Sequence, residues 1–137
     1  STGFDFHKSI DVKKSNRILK KLFMITPNAD EIKILGKSSN LVKTSSELSK
    51  NCKIYLKSAG RKGNLIEDIL FENGRISEKF KSKRILKGKK HGSGCVLSAA
   101  LVANLSKGQT VARACKNSKV YVQKFLSSNY SKLGYHA

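Results

Sequence analysis

The chain has 137 residues and a strong excess of positive charge, with 28 lysines and arginines against nine acidic residues and a net charge of +19. The length suits one domain, and a hydrophobic content of 39% suffices for a packed core, which argues against a disordered tail. The lysines are spread over every segment. Because clustered charge marks a nucleic-acid footprint more than net charge does, this distribution favours a lysine-rich solvated surface over a dedicated nucleic-acid face.

Cysteine usage and hydropathy indicate a reducing compartment. Cys52, Cys95 and Cys115 have no metal-like spacing, and the sequence shows neither a signal peptide nor an apolar run of transmembrane length. We therefore expect a cytoplasmic protein that contacts no membrane.

In chain order, the first third predicts a helix, a strand and a second helix. Residues 11–22 place apolar side chains near one helical face, with Asp11 as a plausible N-cap. Residues 23–26 predict a short buried strand. Residues 27–36 predict a turn and a short helix with Gly36 as its C-terminal cap.

The middle of the chain predicts strands and turns. We expect a short helix at 44–50, a strand at 52–57 and a glycine-containing turn at 58–63. Residues 65–71 and 75–86 then flank Glu-Asn-Gly as a hairpin.

The last third predicts two helices, over 94–107 and about 110–128, the first of them apolar almost all round and ended by Gly108. Together with the earlier elements, these helices indicate an α/β layered fold whose sheet is mostly parallel with some antiparallel strands.

The stretch KKHGSGCVLSAALVANL, residues 89–105, places Gly92, Ser93, Gly94 and Cys95 at the start of the apolar helix. Unpaired N–H groups and the helix dipole make such a start an anion site, but a glycine-loosened start of a buried helix is an alternative. The dipole, His91 and nearby lysines would favour a Cys95 thiolate, whereas a small buried residue is the other interpretation. Nothing in the sequence identifies a partner that would orient His91 as the base of a cysteine hydrolase.

Asn28 and Glu31 lie three apart just beyond a predicted strand. One carboxylate and one amide there would suit water-mediated Mg²⁺ binding. An N-cap asparagine followed by a first-turn glutamate explains the same residues equally well.

Three stretches carry a family resemblance. ITPNADEIKIL, YLKSAG with EDILF, and KHGSGCVLSAALVANLSKG with ACKNSKVYVQKF are similar, in the same order, to the C-terminal half of hydroxymethylpyrimidine and phosphomethylpyrimidine kinases. These are thiamine-pathway members of the ribokinase-like superfamily. Most sugar kinases of that superfamily carry an aspartate in place of Cys95.

The resemblance implies a role for each site residue. Gly92, Ser93 and Gly94, with Cys95, would form an anion hole around the transferred phosphoryl group, and Cys95 would be the candidate base. Lys57 would act on the ATP phosphates. Asn28 and Glu31 match the family's Asn-x-x-Glu element, which supports Mg²⁺ and phosphates; no protein residue is assigned as a direct metal ligand.

Two departures concern the phosphate loops. The family often follows the lysine with two glycines and a histidine, where this chain has Ser58, Ala59 and Gly60, and a threonine is common at Lys90. The family's N-terminal half, with most of the pyrimidine-recognising residues, is not matched. We therefore expect residues 1–137 to be the C-terminal part of one ribokinase-like α/β/α kinase domain, inactive alone.

The function implied is ATP- and Mg²⁺-dependent phosphorylation of 4-amino-5-hydroxymethyl-2-methylpyrimidine and its monophosphate in thiamine biosynthesis. Expected partners are ATP, the small pyrimidine and, as a possible assembly, a second copy in a homodimer. A pyridoxal-type vitamin kinase of the same superfamily is the first alternative. A basic nucleic-acid-binding module is an alternative of another class.

Overall fold

The computed structural model describes residues 12–85, 90–129, 131–132 and 134–135. They fall into two compact units, which divide between Lys83 and Arg84. In its described part, the first unit holds three helices and a four-stranded sheet, and the second holds two helices. The expectation that 1–137 belongs to a single kinase domain stays a prediction.

The first unit follows the predicted order of elements, with some changed boundaries. Its helices and strands are α1 (Val12–Leu19), β1 (Met24–Ile25), α2 (Ala29–Gly36), α3 (Leu41–Leu48), β2 (Lys53–Lys62), β3 (Leu65–Glu72) and β4 (Arg75–Lys83). The prediction for α3 began three residues too late, because the Asn40 side chain accepts the Lys43 N–H at 2.9 Å and caps the helix earlier. Asp11, the predicted cap of α1, lies outside the described residues.

The sheet has the strand order β1-β2-β3-β4. Only β1 and β2 pair in parallel; the pairs β2–β3 and β3–β4 are antiparallel. The prediction of a mostly parallel sheet is therefore wrong for the described strands. Two tight turns cause this, since Gly63 and Gly74 adopt φ values of +57° and +79°, which glycine reaches without steric cost.

Residues 58–63 were predicted as a turn, and this prediction is wrong. Strand β2 continues to Lys62, and the reversal occurs at Gly63 and Asn64. The ladder between β2 and β3 changes register between Leu56 and Gly60, so the glycine-containing stretch is a β-bulge inside a long strand.

Gly36 is the last residue of α2 and not its cap. Lys37 takes the left-handed conformation, with φ of +49°, and caps the helix. Glycine is required at position 36 for a steric reason, because a Cβ there would collide with the Thr44 side chain of α3. The sequence correctly indicated that α2 ends at Gly36, but the residue that caps the helix is the next one, Lys37.

The core of the first unit lies where α2 and α3 pack against β2 and β3. Its side chains are nearly inaccessible to solvent and are mostly aliphatic: Leu19, Ile32, Leu48, Cys52, Ile54, Leu56, Ile69 and Phe71. This packing fixes the end of β1 and the start of α2, which carry candidate site residues.

The second unit contains α4 (Ser93–Ser106) and α5 (Val111–Ser127), both within two residues of their predicted limits. The helices pack against each other, and Asn104 Nδ2 donates to Ser118 Oγ across them at 3.3 Å. Gly108, at φ +75°, follows the C-cap Lys107, so the prediction that it ends the helix is confirmed. None of the helices in the described residues is long and apolar enough to cross a membrane.

Candidate active site

Asn28, Glu31 and Lys57 form one group of side chains, which we call the strand-end cluster. The Lys57 N–H donates to Pro27 O at 2.8 Å, which extends the β1–β2 pairing past the end of β1. This bond brings Lys57 beside the first turn of α2, where its Nζ lies 3.9 Å from Glu31 Oε2. Three residues separated by up to 29 positions in the sequence therefore meet where β1 gives way to α2.

Asn28 and Glu31 form a capping box. Asn28 Oδ1 accepts the N–H groups of Asp30 and Glu31 at 2.9 and 2.8 Å, and Glu31 Oε2 accepts the Asn28 N–H at 2.7 Å. The N-cap interpretation of these residues is confirmed. The capping bonds also hold the Glu31 carboxylate in one orientation beside Lys57, which a solvated first-turn glutamate would not have.

The ion pair between Lys57 and Glu31 is weak. Their side chains are 24% and 49% exposed, and the 3.9 Å separation is long for a charge-assisted hydrogen bond. Solvent-screened pairs of this kind contribute at most about 1 kcal/mol. The Lys57 ammonium can therefore exchange its carboxylate partner for a phosphate oxygen at low cost.

The strand-end cluster offers little to a metal ion directly. In the residues that the structure describes, no group of three or more histidine, cysteine, aspartate or glutamate side chains could hold a metal. Asn28 Oδ1 already accepts two N–H groups, so the Glu31 carboxylate is the oxygen donor that fits Mg²⁺, which retains several waters and takes most of its other ligands from phosphates. The residues present thus fit a water-mediated ion better than a dedicated metal cage.

The glycine turn, residues Gly92 to Cys95, begins α4. Gly92 is the N-cap at φ +77°, and the first helical bond runs from the Val96 N–H to Gly92 O at 2.9 Å. The N–H groups of Ser93, Gly94 and Cys95 therefore have no acceptor within the helix, at the positive end of its dipole. The space beside the Gly92 Cα is open, so an anion could approach this backbone.

Lys90 has a structural role next to the glycine turn. Its ammonium is buried and donates to Asn129 O and Oδ1 at 2.9 and 2.8 Å and to Ser131 O at 3.2 Å. The next residue, His91, donates its backbone N–H to Lys132 O at 3.1 Å. These bonds tie Lys90 to the segment after α5, and its predicted electrostatic effect on Cys95 stays a prediction; Lys87 and Lys89, of which the same effect was expected, lie outside the described residues.

The hydrogen bonds between Lys90 and Asn129 were not predicted. Their one sequence signal was the departure at Lys90 from the threonine that is common there. A buried lysine needs several oxygen acceptors, and the sequence could not show that residues 39 and 41 positions away supply them.

The three thiols differ in exposure, and this difference predicts different rates of chemical labelling. Cys95 is exposed in the first turn of α4, whereas Cys52 and Cys115 are buried, and burial raises the pKa of the Cys52 thiol. We expect iodoacetamide to label Cys95 at least about 100-fold faster than the other two, since the buried thiols react only after local opening. Mass spectrometry of the labelled peptides gives the rates, and denatured chain, in which all three should react alike, is the control. Equal labelling in the folded chain would contradict this packing.

Comparison with solved structures defines the fold class. The pyridoxal kinase of Staphylococcus aureus, solved in complex with AMP-PCP and pyridoxal, superposes with a TM-score of 0.75 at 18% identity, over 92% of this chain and 51% of that one. The chain therefore has the α/β fold of ribokinase-like small-molecule kinases, and the predicted fold class is confirmed.

Sequence comparison identifies the family within this class. The phosphomethylpyrimidine kinase family matches residues 2–137, and the chain belongs to this family. It is 33% identical to a bifunctional thiamine biosynthesis protein of Methanocaldococcus jannaschii and 32% identical to a hydroxymethylpyrimidine/phosphomethylpyrimidine kinase of Aquifex aeolicus. The matches cover 100% and 96% of this chain but 31% and 51% of those proteins, so the chain spans about a third of the first relative and about half of the second.

Proposed function

We propose that this chain forms part of a kinase that transfers the γ-phosphoryl group of ATP to 4-amino-5-hydroxymethyl-2-methylpyrimidine and to its monophosphate. The observation that carries the proposal is the strand-end cluster, in which Lys57 is fixed beside Glu31 by the Pro27 bond, in a chain of the phosphomethylpyrimidine kinase family. Similar proteins support it, because the Aquifex relative is named for this activity and the Staphylococcus aureus structure contains an ATP analogue.

In the proposed reaction, Lys57 stabilises negative charge on the ATP phosphates. The transferred group passes through a transition state with charge spread over its oxygens, so a positioned ammonium lowers the barrier mainly by electrostatics. Glu31, oriented by Asn28 through the capping box, would hold water-bound Mg²⁺, which would supply charge neutralisation on the phosphates. The weak ion pair in the described geometry leaves Lys57 available for this role.

The glycine turn is proposed to bind the phosphoryl group being transferred. The N–H groups of Ser93, Gly94 and Cys95 lie in the first turn of α4, where both hydrogen bonding and the helix dipole favour an anion. The exposed Cys95, acting as a thiolate, is the proposed base: it accepts the proton of the substrate hydroxymethyl group and becomes the thiol as the oxygen attacks the γ-phosphorus. It forms no covalent intermediate in this scheme.

The test is a kinase assay on two forms of the protein. The chain alone is expected to show no turnover, whereas the chain joined to the half of the Aquifex relative that it does not match should phosphorylate the hydroxymethylpyrimidine. Comparing kcat/KM for this substrate, its monophosphate and pyridoxal selects among the vitamin kinases. Tight, salt-sensitive RNA binding by both forms, without ATP binding or turnover, would instead support the nucleic-acid alternative.

Replacement of Cys95 tests its role as base in the active fusion. Cys95→Ala should lower kcat about 100-fold or more, the usual contribution of general acid–base catalysis, and Cys95→Ser should not restore it, because a serine hydroxyl is not ionised at neutral pH. Cys115→Ala, which removes a buried thiol from α5, is the matched control and should change kcat little. A Cys95→Ala enzyme within about threefold of the parent, under 1 kcal/mol of barrier, would remove the assignment.

A further inference from the structure

The bulge in β2 lies directly after Cα partners Leu56 and Ile69 and ends at the pair Gly60 and Glu67. Between these pairs, residues 57–59 of β2 stand opposite Asp68 alone on β3. The candidate phosphate-binding residue Lys57 is the first residue of this bulge. The direction of the Lys57 side chain therefore depends on the contacts that stabilise the bulge.

Asp68 holds the bulge with both oxygens of a buried carboxylate. Its Oδ1 accepts the Ser58 N–H at 2.8 Å, and its Oδ2 accepts the Tyr55 hydroxyl at 2.9 Å. Asp68 is 7% exposed and Tyr55 is fully buried, with its ring against Phe80. Tyr55 thus fixes the carboxylate, and the carboxylate fixes the backbone next to Lys57.

Ser58 needs this support because its backbone is in the left-handed region, with φ of +51°. Residues that carry a Cβ adopt this conformation at a steric cost, which neighbouring contacts must offset. The charge-assisted bond from the Ser58 N–H to Asp68 is such a contact. A glycine at position 58 would reach the same φ without it.

We propose that Asp68 is a positioning residue for Lys57: by holding Ser58 in the left-handed conformation, it aims the Lys57 ammonium at the ATP phosphates. This inference rests on the proposed function for its catalytic consequence. Lys57 is then held on two sides, since its own N–H is bound to Pro27 O and the following N–H is bound to Asp68.

Three substitutions separate this role from simple packing. Asp68→Ala removes both acceptor oxygens. Asp68→Asn keeps an acceptor oxygen for the Ser58 N–H while removing the charge. Asp68→Ala combined with Ser58→Gly removes the carboxylate that holds the bulge. It also removes the need for that carboxylate, because glycine adopts the left-handed conformation at position 58 without steric cost. Glu72→Gln, a carboxylate on the same strand that pairs with Lys53, is the matched control.

In the active fusion, Asp68→Ala should lower kcat about tenfold or more with a smaller change in KM for ATP, because misplacing a catalytic group by even 1 Å is costly. Asp68→Asn should lose less, and Ser58→Gly in the Asp68→Ala background should restore part of kcat. Glu72→Gln should leave kcat within about twofold. Rescue by glycine would not follow if Asp68 only stabilised the fold.

A second measurement on the chain alone does not depend on activity. Nuclear Overhauser contacts between the Lys57 Hε and Glu31 Hγ protons report the direction of Lys57, and hydrogen exchange reports the Ser58 N–H. The Overhauser contacts and the protection of the Ser58 N–H should be retained in Asp68→Asn and lost in Asp68→Ala. Adding Ser58→Gly to Asp68→Ala should restore the Overhauser contacts. If Asp68→Ala does not fold, Tyr55→Phe, which removes only the hydroxyl, should weaken both signals.

The two readouts separate the two hypotheses. An inactive parent fusion with the expected Overhauser and exchange changes would overturn the proposed function and leave Asp68 as the residue that directs Lys57. An active fusion in which Asp68→Ala keeps kcat and the Lys57–Glu31 contacts, or in which Ser58→Gly rescues neither, would overturn the positioning role.

Discussion

Replacing Lys57 by glutamine should lower kcat of the active fusion about 100-fold or more, which corresponds to about 2.7 kcal/mol of transition-state stabilisation. Glutamine retains similar length and hydrogen-bonding capacity but removes the charge that we propose for the ATP phosphates. KM for ATP should rise less than kcat falls, because the charge acts mainly on the transition state. Initial rates at saturating and subsaturating ATP give both constants.

Lys53→Gln is the matched control for this experiment. Lys53 begins the same strand, is paired with Glu72 at 3.7 Å and has its Nζ 4.6 Å from the Phe23 ring centroid. It carries the same charge without contacting the strand-end cluster, and its replacement should change kcat by no more than about threefold. Equal losses in the two variants would show that net positive charge attracts ATP and that Lys57 has no special role.

Phe71→Ala should reduce the free energy of unfolding by about 3–5 kcal/mol. Phe71 is fully buried on β3 in the core formed with α2 and α3, so the substitution leaves a large cavity among aliphatic side chains. Urea denaturation of the chain, followed by circular dichroism, measures this loss. Such a loss would consume much of the stability of a small domain.

Ile76→Ala tests whether burial explains the effect. Ile76 is the Cα partner of Phe71 across the β3–β4 ladder, but 43% of it is exposed. Its truncation should reduce the free energy of unfolding by less than about 1 kcal/mol. Comparable losses at the two positions would contradict the core described for the first unit.

Local sequence chemistry offered the correct start of α2 as one of two interpretations of Asn28 and Glu31. The Asn-x-x-Glu spacing predicts a capping box because its bonds close within one helical turn, and those bonds are present. The apolar run of α4 and the glycine turn before it were predicted within a residue for the same reason. Family resemblance, carried by these motifs and their order, is confirmed by the match over residues 2–137.

Residues 58–63 show where local signals mislead. Glycine and serine there are typical of a turn, but the same residues serve a β-bulge because β3 pairs with both ends of the stretch. Pairing depends on residues beyond the stretch, so no short window could distinguish the two structures. The parallel-sheet prediction was wrong for a related reason, since it extrapolated from one strand-helix alternation.

The sequence by itself determined the residue types of the site and the starts of α2 and α4, because each depends on neighbours a few positions apart, and it determined the family through the order of such local motifs. Only the tertiary structure decided which side chains meet: Lys57 with Glu31, Asp68 with Ser58, and Lys90 with Asn129. These contacts join residues from 10 to 39 positions apart, and they form because the packed sheet and helices bring the chain back on itself. A buried charge or a left-handed serine is stable only when such distant partners offset its cost.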